Sequence, residues 1–251
     1  MGGAVSALAF PAPPKEWGKD RLEARPDLIK LNTPEGDIGA IHIRNFSRCT
    51  ILYSHGNAED LGQILQYLDA MAHTCNADVL AYDYCGYGVS EGSPSEQNAY
   101  MAIDAAYNHL TRTCKVDPSR IVAFGRSIGS GPTVDLVSRT PEIRAMVLQS
   151  PLESGGRAVL GNTASWLFHG LDIFRNYEKI EAVSCPVFIM HGTADKVVPC
   201  HNGRAIHAQC RNAVDPWWVN GRGHNDMPDR EILERIRRFL DRLYTEGAPP
   251  M

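Results

Sequence analysis

The stretch that most constrains this chain is Phe124-Gly125-Arg126-Ser127-Ile128-Gly129. It reads Gly-x-Ser-x-Gly, and it lies between an apolar run (Arg120 to Phe124) and a helical pattern that begins at Ile128. Strand, sharp turn and helix in that order hold a serine in a strained backbone conformation with its hydroxyl exposed. Glycines two residues to either side remove the Cβ atoms for which so tight a bend has no room. A chain that makes this turn commits itself to a βα unit. Whether Ser127 is more than a turn residue depends on what the rest of the sequence brings to it.

The pattern around the turn repeats the same alternation. Leu28 to Leu31 and Ile38 to Ile43 read as two strands joined by Thr33-Pro34-Glu35-Gly36. Thr50 to Ser54 is a short buried strand ending in His55-Gly56-Asn57-Ala58, and a helix from Leu61 to His73 follows. Asp78 to Tyr82 is a strand leading into Asp83-Tyr84-Cys85-Gly86-Tyr87-Gly88. Ser93-Pro94-Ser95-Glu96 reads as a capping box with proline at the first helical position, opening a helix to about Thr113. Strands follow at Arg144 to Gln149, at Pro186 to Met190 and at Trp217 to Val219, with helices from Gly203 to Cys210 and from Pro228 to Tyr244. Residues 152–183 are irregular apart from an aromatic piece around Trp166. The expected class is α/β: a mainly parallel central sheet with an antiparallel start, flanked by helices on both faces. Residues 1–26 form an N-terminal tail with helix-breaking Pro11, Pro13 and Pro14, residues 27–244 the domain, and residues 245–251 a frayed C-terminal tail.

Ligands of such sheets bind at the carboxyl ends of the strands. The polar motifs collect there: His55-Gly56-Asn57, the Asp83 turn, Ser127, Asp195 and His224. A serine hydroxyl needs a base to take its proton, and the base needs an acceptor to orient it. Asp195 follows the penultimate strand and His224, in Gly221-Arg222-Gly223-His224-Asn225-Asp226, follows the last. The order Ser, Asp, His suits the nucleophile, the orienting acid and the base of an acyl-transfer site. His55 and His191 sit in His-Gly turns directly after strands and read as structural, while His201 opens a helix and reads as exposed. Asp226 is too near His224 in sequence to reach behind its ring, and Asp172 precedes the strand instead of following it. Asp83 reads as a turn-stabilising residue. The developing oxyanion calls for backbone N–H donors, one from Ile128 and one from Asn57 or Ala58.

A net charge of −4 leaves no basic excess for a nucleic-acid partner. No apolar run approaches the eighteen or so residues of a membrane span, and no secretory signal opens the chain. Seven cysteines without metal-like spacing suit reduced thiols in the cytoplasm, with Cys85, Cys185 and Cys200 as small core or turn residues. No metal and no cofactor is expected. Met1-Gly2-Gly3-Ala4-Val5-Ser6 matches the N-myristoylation signal with Gly2 as acceptor.

Taken together and in order, Ser54-His55-Gly56-Asn57-Ala58, Tyr82-Asp83-Tyr84, Gly86-Tyr87-Gly88, Pro94-Ser95-Glu96, Ser127-Ile128-Gly129 and Gly223-His224-Asn225-Asp226 resemble the α/β-hydrolase superfamily. The likeness is to its domain-containing protein 17 group, over roughly residues 28–244. It implies serine hydrolases that remove palmitoyl groups from cysteines of membrane-bound proteins by thioester hydrolysis. The triad it carries over is Ser127, Asp195 and His224. Members of that group have an N-terminal palmitoylated cysteine cluster, whereas the first cysteine here is Cys49. A myristoyl group on Gly2 would supply peripheral contact with the cytoplasmic face of membranes, and S-acylated proteins would be the substrates of a monomeric enzyme. Only about thirty residues separate Pro151 from Cys185, too few for a large lid. Within them Trp166, Phe168, Leu171 and Phe174 are candidates to line an acyl groove, or else cap the core. Other readings are a carboxylesterase, lipase or serine peptidase on the same residues, or a non-catalytic binding module of the same fold.

Overall fold

The computed structural model describes residues 19–160 and 172–245; Gly2, Trp166, Phe168 and Leu171 lie outside them. Eight strands form one sheet: β1 (Leu28–Thr33), β2 (Gly36–Ile43), β3 (Thr50–Ser54), β4 (Asp78–Tyr82), β5 (Ile121–Arg126), β6 (Ala145–Gln149), β7 (Val187–Gly192) and β8 (Trp217–Val219). Their order across the sheet is β1-β2-β4-β3-β5-β6-β7-β8. The two pairings of β2 are antiparallel and those from β4 through β8 are parallel. The antiparallel start follows from the tight turn at Pro34-Glu35, which leaves Thr33 paired with Gly36.

Seven α-helices lie among the described residues: α1 (Lys19–Glu23), α2 (Leu61–Cys75), α3 (Glu96–Asn108), α4 (Ser130–Ser138), α5 (Gly155–Leu160), α6 (His201–Gln209) and α7 (Asp229–Thr245). α1 falls within the expected tail, and its Leu22 is only 1% exposed, so packed structure begins before residue 27. The inner strands are mostly apolar, with polar residues at their ends, because both of their faces are covered. In β5, Ile121 and Ala123 join the core under α3, α4 and α6, while Val122 and Phe124 join the one under α2 and α7. In α7 the buried positions Ile232, Ile236, Phe239 and Leu240 recur at helical spacing. Each such side chain contributes about 1.5–3 kcal/mol on burial.

Three local expectations change. The cap of α3 is Ser95, whose side chain accepts from the Asn98 N–H at 3.1 Å; Ser93 is not the cap and Pro94 precedes the helix. Glu96 is thereby the first helical residue, and its Oε1 accepts from Tyr100 Oη and from the Phe174 N–H, both at 2.7 Å, in place of a capping-box contact. Phe174 is 1% exposed, with its ring 5.7 Å from that of Tyr100 and packed so closely on α4 that Gly131 has no room for a Cβ. It seals the core beneath the serine turn and is withdrawn from any groove surface. The remaining difference is at the end of α3, where the helix continues as a single π-turn, His109–Thr113.

Candidate active site

β5 runs straight into the serine turn. Ser127 has φ +54°, a left-handed conformation that costs a non-glycine residue about 1–3 kcal/mol and persists only where its surroundings enforce it. The enforcement is visible at the two glycines. A Cβ on Gly125 would sit 2.6 Å from the Gly129 carbonyl oxygen, and one on Gly129 would sit 2.3 Å from that of Ser54. The turn therefore presses against the end of β3 and places Ser127 beside the loop that leaves it.

Two further loops close on the serine. His224 Nε2 lies 2.9 Å from Ser127 Oγ, and His224 Nδ1 lies 2.7 Å from Asp195 Oδ2. The parallel pairing of β7 with β8 delivers these two residues from neighbouring strand ends, and Ala194 N–H bonds to the Arg222 carbonyl to lock one loop to the other. Asp195 Oδ1 accepts from the N–H groups of Val197 and Val198, each at 2.9 Å. Burial raises the pKa of Asp195, but the hydrogen bonds of His191 and His224 outweigh it and hold the carboxyl well below the usual range. It is thus a fixed negative charge behind the imidazole, which keeps the Nδ1–H tautomer and leaves Nε2 to accept from Ser127.

His191 was expected to be structural only. It is fully buried, donates to the Val198 carbonyl through Nε2 at 2.8 Å, and holds that same nitrogen 3.3 Å from Asp195 Oδ2. It braces the Asp195 loop as well as filling space. His201 is exposed, as read. Asp226 accepts from the Gly223 N–H within its own loop, and Asp172 accepts from Gly156 N–H at 2.6 Å, so neither reaches the ring of His224.

The loop after β3 is held from beneath by the Asp83–Gly88 motif. Tyr84 Oη donates to the His55 carbonyl at 2.7 Å, and Tyr87 Oη donates to Asn57 Oδ1 at 2.8 Å. Asp83 Oδ1 accepts from the Leu61 N–H at 3.0 Å and lies 3.3 Å from His55 Nε2, both side chains being fully buried. Asp83 thus ties the neighbouring loop to α2 more than it stabilises its own turn. The Ala58 N–H is taken by Asn57 Oδ1 at 3.1 Å.

Arg126 and Glu59 carry no signal by which sequence reasoning could have found them. Glu59 Oε1 accepts from the Gly56 N–H and Oε2 from Arg126 Nη1, each at 2.6 Å. Arg126 Nη2 reaches Asn225 Oδ1 at 3.2 Å. One guanidinium therefore joins the serine turn, the loop after β3 and the histidine loop. The only local signal is the variable position of Gly-x-Ser-x-Gly, which says nothing about reach. These three loops and the Asp195 loop, through Val197, surround a cleft of about 540 Å³, with Ser127 and His224 in its wall.

The family of hydrolases described as serine aminopeptidase, S33, matches residues 47–177. Over 228 residues the chain is 40% identical to the mouse α/β-hydrolase domain-containing protein 17C, covering 90% of this chain and 70% of the mouse protein. It is 44% identical over 218 residues to the 17C protein of Xenopus tropicalis, covering 85% and 69%. The chain belongs to the α/β-hydrolase domain-containing protein 17 family. It is accordingly a hydrolase of the α/β-hydrolase superfamily. The fold agrees: the Pyrococcus furiosus esterase Pf2001 superposes with a TM-score of 0.72 at 20% identity, covering 92% of this chain and 98% of that one.

Proposed function

We propose that this hydrolase cleaves acyl thioesters through Ser127, His224 and Asp195, and that its substrates are S-palmitoylated proteins. The observation that carries the chemistry is the unbroken relay of 2.9 and 2.7 Å from serine to imidazole to carboxylate at the strand ends. Ser127 Oγ attacks the thioester carbonyl carbon as His224 Nε2 takes its proton. The oxyanion is held by the N–H groups of Ile128 and Asn57, each such donor being worth about 2.7–4 kcal/mol. The C–S bond breaks, and His224 returns the proton to the departing thiol. A water, deprotonated by His224, then attacks the acyl-serine ester; the C–O bond breaks, Ser127 regains its proton, and the fatty acid leaves. The thioester preference and the protein substrate rest on kinship with the domain-containing protein 17 family. Within that reading the enzyme works on the cytoplasmic face of membranes, with Gly2 as the myristoylated anchor.

A second reading is favoured by the described wall of the cleft. It carries Glu59, Gln63, Arg126 and Asn225, and only Ala58 and Val197 offer apolar side chains. Such a wall suits a short or polar acyl group, as in a carboxylesterase or a peptidase. Turnover of a palmitoyl-cysteine peptide thioester, compared with short-chain esters and aminoacyl amides, separates the two. The thioester is expected to have the highest kcat/KM, and failure to turn it over while short esters are cleaved would replace the first reading with the second.

A further inference from the structure

At the opposite edge of the sheet from Ser127, three side chains that the hydrolase chemistry leaves unused converge on one point. β2 runs antiparallel to β4, so its last residues lie beside the amino-terminal ends of the parallel strands. His42 is there, and α3 brings its π-turn to the same edge. His42 Nδ1 and His109 Nε2 are 3.3 Å apart, and Cys114 Sγ is 3.3 Å from His109 Nε2 and 4.0 Å from His42 Nδ1. Tetrahedral zinc, with Zn–N of about 2.0–2.1 Å and Zn–S of about 2.3 Å, separates its ligand atoms by about 3.3–3.6 Å. The three atoms already stand near that spacing.

Two observations point the same way. In an α-helix residues five apart lie about 140° apart around the axis, facing different directions. Here the Cys114 N–H bonds to the His109 carbonyl at 2.9 Å, an i→i+5 closure that swings Cys114 back over His109. Irregular turns of this kind are frequent at functional sites. The donor chemistry is also set. Arg44 can only donate, and its Nε lies 3.5 Å from His42 Nδ1 and its Nη2 3.1 Å from Cys114 Sγ. The nitrogen of His42 that faces the cluster therefore presents a lone pair, and the sulfur is turned to accept. His42 is 6% exposed, whereas Arg44 is exposed and has room to swing outward.

We propose that His42, His109 and Cys114 form a binding site for a late divalent transition-metal ion, zinc foremost, with a solvent molecule as fourth ligand. Imidazole and thiolate together suit such an ion and not calcium or magnesium. The site clamps β2 to the connection between α3 and β5, so its role is to fasten the fold. Arg44 acts as the gate, its charge competing with the ion for Cys114. The spacing of ligands 67 and 72 residues apart explains why no sequence motif marks them.

The test uses the metal-free full chain titrated with Co²⁺ and Zn²⁺. One Co²⁺ per chain is expected, with a thiolate-to-cobalt charge-transfer band that Zn²⁺ displaces and a melting temperature that rises on loading. Cys114→Ser should abolish the band, and His109→Ala should weaken Zn²⁺ binding at least tenfold. Arg44→Gln should tighten it. Ser127→Ala should change none of these readings. Absence of a charge-transfer band in the wild type, or its persistence in Cys114→Ser, would overturn the assignment. If Cys114→Ser folds poorly, His109→Gln serves in its place, since a band and stoichiometry unchanged in that variant would also sink the site.

Discussion

Two of the histidine–aspartate contacts at the carboxyl edge of the sheet join separate loops. His224 and Asp195 meet at 2.7 Å, with the imidazole facing the cleft. His55 and Asp83 meet at 3.3 Å and are sealed from solvent. The residue types are the same, and each pair spans two strand-end loops. What differs is the second nitrogen of the ring. In His224 it points at a serine hydroxyl; in His55 the Nδ1 bonds to the Gly56 carbonyl at 2.8 Å, so that ring has no acceptor to offer a substrate. A histidine beside a carboxylate is a base only when its far nitrogen is left unprotonated and within reach. Otherwise it is a fastener.

The comparison predicts that damage to one pair strikes chemistry and damage to the other strikes the fold. The largest effect belongs to the serine that only the first pair touches: Ser127→Ala should lower kcat for an acyl substrate by about 10⁶-fold, with labelling by a fluorophosphonate probe lost and the far-ultraviolet circular dichroism unchanged. Asp195→Asn should cost about 10⁴-fold in kcat, because the imidazole loses the charge that fixes its tautomer. If the Asn variant kept wild-type kcat, Asp195 would be a fastener too and the contrast would collapse. Asp83→Ala should act through stability, lowering the free energy of unfolding in urea by about 3–5 kcal/mol by leaving a buried partner uncompensated, while its folded fraction still labels with the probe.

The smallest and most specific effect is in the pH course of stability. Asp195 has its carboxyl pKa depressed in the folded state, so its contribution is present above the ordinary carboxylate value of 3.8 and is lost as pH falls through the folded value. For His55, burial opposes the charge but the contacts with Asp83 outweigh it and raise the pKa above 6.5. That contribution is present in full below 6.5 and is lost as pH rises through the folded value. The stability gap between wild type and Asp195→Asn should therefore narrow toward acid, and the gap for His55→Gln should narrow toward alkali. Parallel curves for the two variants in urea titrations across pH would refute the assigned difference in roles.

The alternation of strands and helices was legible because strands covered on both faces are apolar runs, and because Gly125 answers to contacts within its own turn; the need for Gly129, which meets the end of β3, is set by the fold. Ser127, Asp195 and His224 were legible as strand-end residues in a suggestive order. The supports were not. His191 looks like any buried histidine until Asp195 is seen folded back onto it, four residues later, by the bonds of Val197 and Val198. Glu59 and Arg126 lie 67 residues apart and meet only because β3 and β5 are neighbours in the sheet. For Phe174 the sequence left groove lining and core capping both open; its ring packs on Gly131 of α4 and its N–H bonds to Glu96 of α3, so it caps the core. Local chemistry marked the candidate residues, and three-dimensional adjacency decided what steadies them.

The order of the three residues along the chain has a consequence for biosynthesis. His224 follows Ser127 by 97 residues, on the far side of three more strands. A ribosome that adds about 5–20 residues per second needs roughly 5–20 s to cover that distance. Through that interval Ser127 has no His224 beside it, and Asp195, which is made before the histidine, has no imidazole to orient. Under the proposed chemistry, reactivity arrives with the loop that follows the last strand.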